Sequence, residues 1–334
     1  MKKCKFCSQP AVILIPLNQM PLCKMHFISY IHDRVKKTIN QYNLITSDDK
    51  VLVALSGGKD SQTLLTILHE IYNKDIQIEA LYINVGVTPK NYSNDSYEVA
   101  KDLCEKLEIP LNMIDIKTEL EFDIDTVHKL GLLQKGGKHR KKGGRFRGEC
   151  SYCGLFKRYF INKFAVLNKF TKVATGHNLT DEATQLMGNF FNVDMELMSR
   201  AGPTTMTEVQ GLITRIKPLY FIYEQEIVMY AYYAKIHHLS TECEYATDSP
   251  SGNIKKSMLK IEEFRRGTMF YMVKKFQERL KPTLFGTISE EKKAEKKCII
   301  CGMGTYMETC AFCRTKKRLQ ELILTNTKLR NVDD

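Results

Sequence analysis

The stretch Val51-Leu52-Val53-Ala54-Leu55-Ser56-Gly57-Gly58-Lys59-Asp60-Ser61 decides the fold. Its apolar run, Val51 to Leu55, predicts a strand buried on both faces. Beyond it, Leu64, Leu65, Ile67, Leu68 and Ile71 recur at helical spacing and predict a helix. The turn between, Ser56 to Ser61, carries two glycines that let the backbone approach an anion with no Cβ in the way. Strand, glycine turn and helix together aim backbone N–H groups and a helix N-terminus at a phosphate. Nucleotide chemistry near the start of an α/β domain is therefore the first expectation.

The spacing excludes the two commoner glycine loops, Gly-x4-Gly-Lys-Ser/Thr and Gly-x-Gly-x-x-Gly. Ser-Gly-Gly-x-Asp-Ser instead resembles the PP-loop of the ATP pyrophosphatase superfamily. That resemblance implies cleavage of ATP to AMP and pyrophosphate with adenylation of an acceptor. It does not choose among ammonia-using, amide-forming and sulfur-using members.

Outward from this turn, strands and helices alternate as a parallel sheet with crossover helices requires. Ile76 to Val85 reads as a strand, Ser93 to Leu107 as a helix and Leu111 to Ile116 as a strand. Leu155 to Leu167 reads as a helix and Lys172 to Thr175 as a short buried strand. Gly176-His177-Asn178-Leu179-Thr180-Asp181-Glu182 follows and opens a helix through about Phe191. Ligands of open parallel sheets sit outside the carboxyl ends of the strands, so the turns after Leu55, Val85 and Thr175 should face one crevice. Before the sheet, Phe27, Ile28, Ile31, Val35 and Ile39 define a linker helix from about His26 to Leu44, with Arg34, Lys36 and Lys37 on its other face.

A chain of 334 residues with 43% hydrophobic content supports a substantial core. No apolar run approaches a membrane span, and Met-Lys-Lys-Cys-Lys-Phe-Cys lacks an apolar signal region, so a cytoplasmic protein with no membrane partner is expected. The formal net charge of +12 favours a polyanionic partner. Residues 135–147, Lys-Gly-Gly-Lys-His-Arg-Lys-Lys-Gly-Gly-Arg-Phe-Arg, have no acid and no apolar periodicity. They read as a basic loop suited to phosphate beside the site. A second charged run, Glu290 to Lys297, mixes signs and reads as a linker.

The eleven cysteines divide cleanly. Cys4-x2-Cys7-x15-Cys23-x2-His26 and Cys298-x2-Cys301-x8-Cys310-x2-Cys313 each offer four ligands at the spacing of a closed tetrahedral zinc site. They are the only internal repeat and predict two structural Zn²⁺ ions. Cys150 and Cys153 lie just before a predicted helix among Lys157, Arg158 and the basic loop, a setting that favours thiolates. Cys243 stands alone downstream in Thr-Glu-Cys-Glu-Tyr. Three thiols could hold three irons of a [4Fe–4S] cluster and leave the fourth for a substrate, whereas electron-transfer clusters close every corner with four. A persulfide or disulfide pair without metal, or plain buried thiols, are the alternatives. Cys104, beside Leu103 and Leu107, reads as core.

The PP-loop, Cys150-x2-Cys153-Gly-x2-Lys157-Arg158, Gly176-His177-Asn178-x2-Asp181-Glu182, the late Cys243 and a zinc module at each end occur in order. Together, over residues 4 to 313, they resemble the TtuA/NcsA-type tRNA 2-thiouridine synthetases. The resemblance implies a Rossmann-like parallel sheet of the PP-loop ATP pyrophosphatase type, commonly in a homodimer. It divides the chain into an N-terminal zinc finger (1–27), a linker helix (28–46), a catalytic domain (47–250), a helical extension (251–296) and a C-terminal zinc finger with tail (297–334). It implies that Cys150, Cys153 and Cys243 ligate an oxygen-sensitive [4Fe–4S] cluster. The long basic insertion before Cys150 departs from the family pattern.

The activity so implied is ATP-dependent conversion of a tRNA uridine to 2-thiouridine. Ser56, Gly57, Gly58 and Ser61 would cradle phosphates, Asp60 would position Mg²⁺ or pyrophosphate, and Lys59 and Lys157 would offset charge at the α-phosphate. Ile83 and Gly176 complete the implied nucleotide contacts. Asp181 either caps its helix or acts on a proton or metal near nucleotide and base. The sulfur donor would be sulfide or a thiocarboxylated ubiquitin-like carrier, and both tRNA position 34 and position 54 are served by relatives. Two rival readings stand beside this one. One is a cluster-free thiolase using Cys150 and Cys153 as persulfide and disulfide partners. The other is a zinc-dependent RNA-binding protein with a vestigial PP-loop, against which intact Ser56, Asp60 and Ser61 argue.

Overall fold

A computed structural model describes residues 2–72, 75–136, 148–205, 211–246, 250–286 and 296–330. The basic segment 137–147 and most of the charged run before Lys296 lie outside these residues. A two-residue hairpin, β1 (Ile13–Leu14) with β2 (Pro21–Leu22), leads into α1 (Lys24–Gln41). The central region runs β3 (Lys50–Leu55), α2 (Lys59–Tyr72), β4 (Gln77–Asn84), α3 (Tyr92–Lys106), β5 (Leu111–Asp115), α4 (Ile116–Leu120), α5 (Ile124–Gly136) and α6 (Glu149–Leu167). It continues with β6 (Lys172–Ala174), α7 (Leu179–Asn192), α8 (Met195–Arg200), β7 (Thr204–Thr205), β8 (Thr214–Ile216) and α9 (Glu224–Tyr233). Then come α10 (Pro250–Phe264), α11 (Thr268–Lys275), a π-helical turn, α12 (Lys281–Phe285), the hairpin β9 (Lys296–Lys297) and β10 (Gly304–Thr305), and α13 (Ala311–Arg330).

The sheet has the order β5-β4-β3-β6-β8-β7, parallel throughout except for the β7 edge. From β3 the chain moves outward to β4 and β5, then returns to β6 on the other side of β3. The strand order therefore reverses between β3 and β6, the place where open α/β sheets bind ligands. Side chains of β3 alternate across the sheet, as strand geometry demands. Val51, Val53 and Leu55 enter a core shared with α1, α2 and α9, while Leu52 enters the opposite core with α5, α6 and α13. A third cluster, around Leu186, Met258, Met269 and Val273, docks α10 and α11 on α7. Helices on both faces of a parallel sheet are the architecture expected from the sequence.

Several boundaries differ from the sequence reading. Helix α1 begins at Lys24, so His26 belongs to the same helix that leaves the first cysteine group. Both end groups also share the main cores: Cys4 and Cys23 pack with Phe27, and Cys298, Cys313 and Phe312 pack with α6. Neither is a self-contained bead. Helix α6 starts at Glu149, not Leu155, which puts Cys150 and Cys153 inside its first turns rather than before it. Among the described residues, no helix is long and apolar enough to cross a membrane.

Candidate functional site: a PP-loop facing three thiols

The PP-loop is held before any ligand arrives. Ser61 Oγ takes a hydrogen bond from the Ser56 N–H at 3.2 Å, sits 3.1 Å from Ser56 Oγ, and donates to Gly58 O at 3.1 Å. Gly57 adopts φ +71, and a Cβ there would lie 2.4 Å from the Ser96 carbonyl oxygen. Only glycine meets both demands. Gly176, after β6, closes the facing wall so tightly that a Cβ would sit 2.9 Å from Ser61 N. The β3–β4 register ends at Leu55↔Tyr82, one residue short of Ile83. The Ile83 side chain itself is buried in the apolar core.

The charges of the crevice form a closed circuit. Lys59 Nζ contacts Asp60 at 3.1 Å and Glu224 at 2.8 Å. Burial works against the Lys59 charge, yet Glu224 and Asp60 push its ammonium above the usual lysine range. Lys255 Nζ reaches Glu224 at 2.7 Å and Asp181 at 3.8 Å. Burial opposes ionisation of Glu224, but Lys255 and Lys59 hold its carboxyl below the ordinary range. Asn178 caps α7, accepting from the Thr180 and Asp181 N–H groups, and donates from its side chain to Asp60 at 3.1 Å. Asp181 returns the cap by accepting from the Asn178 N–H at 3.3 Å. Burial lifts the Asp181 carboxyl above the ordinary aspartate range against the pull of Lys255. Burial, helped by Lys217, pushes the His177 imidazole below its ordinary value, so it is neutral near pH 7.

Cys243 reaches the other two thiols through a segment with no regular structure. The Leu239 N–H donates to Gly57 O at 2.9 Å, pinning the segment's start to the PP-loop. Tyr245 stacks on His128 at 4.4 Å and donates to Asp125 at 2.8 Å, while Lys90 pairs with Glu244 at 3.3 Å. Cys150 Sγ donates to Tyr245 O at 3.4 Å. Desolvation, then the nearby Cys153 and Cys243 sulfurs, push the Cys150 thiol above its ordinary value. These effects work against the thiolate that the helix end and cationic neighbours would favour. Tyr92, half-buried, lies within electrostatic range of the same three sulfurs and of Lys157.

A 2-thiouridine synthetase TtuA N-terminal LIM domain model matches residues 3–28, and a PP-loop domain model matches residues 29–142. The tRNA-5-methyluridine(54) 2-sulfurtransferase of Pyrococcus horikoshii is 38% identical over 333 residues, 99% of this chain and 98% of that protein. The chain belongs to the tRNA 2-thiouridine synthetase family. The Dictyostelium discoideum cytoplasmic tRNA 2-thiolation protein 1, another relative of this synthetase, is 30% identical over 95% of this chain and 84% of its own. The solved U34-tRNA thiolase NcsA from Methanococcus maripaludis, with its [4Fe-4S] cluster, superposes with a TM-score of 0.76 at 25% identity, covering 96% of this chain and 97% of that one.

Cys150, Cys153 and Cys243 of the synthetase are thiols, the donor type that an iron–sulfur cluster takes. The two end groups each bring four ligand atoms within 4.8 Å of one another, whereas Cys150, Cys153 and Cys243 stand wider apart. One shared ion demands the closer spacing. No fourth cysteine joins them, because Cys104 is buried in the other core, its thiol pushed up to about 12 by burial. The end groups could each hold a metal ion: Cys4, Cys7, Cys23 and His26, and Cys298, Cys301, Cys310 and Cys313.

Three crevice residues escaped the sequence reading: Asn178 as a holder of Asp60, and Glu224 and Lys255. The sequence did place Asn178 at a helix start. Glu224 and Lys255 carry no motif, and only the fold brings α9 and α10 to the PP-loop.

Proposed function

We propose that this chain replaces the C2 oxygen of a tRNA uridine with sulfur, with position 54 as its substrate. The single observation that carries the reading is the convergence of Cys150, Cys153 and Cys243 beside a PP-loop to which the Cys243 segment is tied. The uracil oxygen is a poor leaving group and must first be activated. Attack of that oxygen on the ATP α-phosphate expels pyrophosphate and leaves an O-adenylated base. The PP-loop N–H groups, Ser56 and Ser61 receive phosphate oxygens, Asp60 would position Mg²⁺ or pyrophosphate, and Lys59 and Lys157 offset charge at the α-phosphorus. Asp181 takes a proton or steadies the metal. Cys150, Cys153 and Cys243 would hold a [4Fe–4S] cluster, which would supply the sulfur for C2. Attack at C2 then expels AMP, and no net oxidation or reduction occurs when sulfide is the source. The base must leave the RNA stack to reach the crevice.

Position 54 is favoured because relatives named for it, at 38%, 33% and 31% identity, stand above those named for cytoplasmic thiolation at 30% and below. Zinc in both end groups is supported by sulfur spacing. Tetrahedral Zn–S bonds of about 2.3 Å set sulfurs roughly 3.8 Å apart; Cys7 to Cys23 is 3.7 Å and Cys301 to Cys310 is 3.8 Å. A cytoplasmic homodimer fed by sulfide or by a thiocarboxylated ubiquitin-like carrier completes the reading.

Anaerobic purification with iron and sulfide analysis, then reaction with total tRNA and ATP and mass-spectrometric mapping of thiolated nucleosides, tests it. Iron and sulfide in cubane proportion and sulfur at position 54 are expected. Thiolation in air by cluster-free protein would overturn the cluster chemistry, and sulfur at position 34 would overturn the site assignment.

A further inference from the structure

Helix α10 lies in the segment read from sequence as an extension outside the catalytic domain, yet it sends a charge into the nucleotide crevice. Lys255 and Glu262 are two helical turns apart on one face of α10. Glu262 accepts from the Tyr223 hydroxyl at 3.0 Å, and from the Met269 N–H at 2.8 Å. Tyr223 immediately precedes Glu224, so the contact that locks α10 onto the start of α9 also sets Lys255 against Glu224. The Glu224 N–H in turn donates to Thr180 Oγ1 at 3.2 Å, inside the α7 cap that carries Asp181. Three helices meet at one carboxylate.

We propose that Glu224 is a positioning residue for ATP binding and adenylation, and that Lys255 is a further nucleotide-facing cation, beside Lys59 and Lys157, delivered by α10. The inference rests on the ATP-dependent reading above and adds a part to it. Glu224 bridges the two ammonium groups, one carboxylate oxygen on Lys59 and the other on Lys255. Without it, Lys59 would keep only Asp60 and Lys255 only the longer contact to Asp181, and nothing would tie the two cations to each other. With it, both lysines are held at the rim of the PP-loop, where an incoming polyphosphate exchanges for carboxylate oxygen. Their charge is kept and their orientation is set in advance, as preorganised electrostatic stabilisation requires. Lys255 therefore acts on the phosphates, and Glu224 acts through Lys59 and Lys255.

The test uses the full-length protein, with equilibrium binding of Mg-ATP and RNA-dependent pyrophosphate release read separately. Loss of a charge-assisted hydrogen bond worth ~1.5–3 kcal/mol predicts that Lys255→Met weakens ATP binding by roughly tenfold or more. Lys255→Arg should restore much of it. Glu224→Gln should lower the rate of pyrophosphate release more than it weakens ATP binding, because orientation rather than charge is lost. Coupling is the decisive readout: Lys255→Met should cost far less in the Glu224→Gln background than alone. Unfolding midpoints of each variant separate this from simple instability. Additive effects, or unchanged ATP affinity in Lys255→Met, overturn the proposal while leaving the thiolation reading standing. Wild-type protein that binds no ATP would overturn both.

Discussion

The Asp181 carboxylate accepts from the Asn178 N–H at 3.3 Å and stands 3.8 Å from the Lys255 ammonium. Helix capping and crevice electrostatics thus meet on one side chain, and the cap weighed from sequence is present. Burial is the main reason its pKa rises, with Lys255 pulling the other way. A raised pKa means the proton leaves at higher pH than from an ordinary aspartate near ~3.9. The ionised form, which can accept a proton or hold a metal, is therefore lost as pH falls through that raised value. RNA-dependent pyrophosphate release should show an acid limb with its midpoint above the ordinary aspartate value. Asp181→Asn, which keeps an oxygen for the cap, should lower the rate and remove that limb while the helix stays intact. An acid limb that survives in the Asn variant would assign the titration to another group.

At the scale of elements, α6 carries the two cysteines at its start and is braced at its middle by the last module. Phe312 stacks on Tyr159 with ring centres 3.5 Å apart and an interplanar angle of 3°, and meets Phe156 and Phe160 edge-on. Phe312→Ala should destabilise the protein by about 3–5 kcal/mol, the usual cost of emptying a buried aromatic site. Urea unfolding measures this, and an unchanged midpoint would show that the module is merely apposed. Iron retained after anaerobic reconstitution should fall in the same variant. The strands and the PP-loop were legible because apolar runs and glycine positions encode them directly. The start of α6 was not. Cys150 to Gly154 has no apolar period, Gly148 offers no side-chain cap, and a glycine sits within the first turns. Glu224 and Lys255 were equally silent, since a charge on a helix reads as solvated until the tertiary fold gives it a partner.

For the molecule as a whole, the proposed chemistry needs the PP-loop and the three thiols to serve one base. The link visible in the fold is the segment from Leu239 to Tyr245, which starts at the PP-loop and ends over Cys150. Its attachment at Gly57 is backbone to backbone and does not depend on the side chain at Cys243. Replacing that side chain should therefore separate the halves. Cys243→Ser should keep ATP binding and release pyrophosphate with tRNA at a rate close to wild type, because nothing at the PP-loop changes. Loss of even an outer partner of a metal site costs roughly 10–100-fold in affinity or activity. Loss of a direct ligand should thus cut iron retention and 2-thiouridine formation by at least about 100-fold. Iron analysis, pyrophosphate release and nucleoside mass spectrometry on one anaerobic preparation read all three. Full thiolation by Cys243→Ser would return the chemistry to Cys150 and Cys153 alone, as a persulfide and disulfide pair. Loss of pyrophosphate release together with thiolation would mean that the Leu239–Tyr245 segment transmits the state of the thiol wall to the PP-loop, making adenylation conditional on a loaded sulfur site.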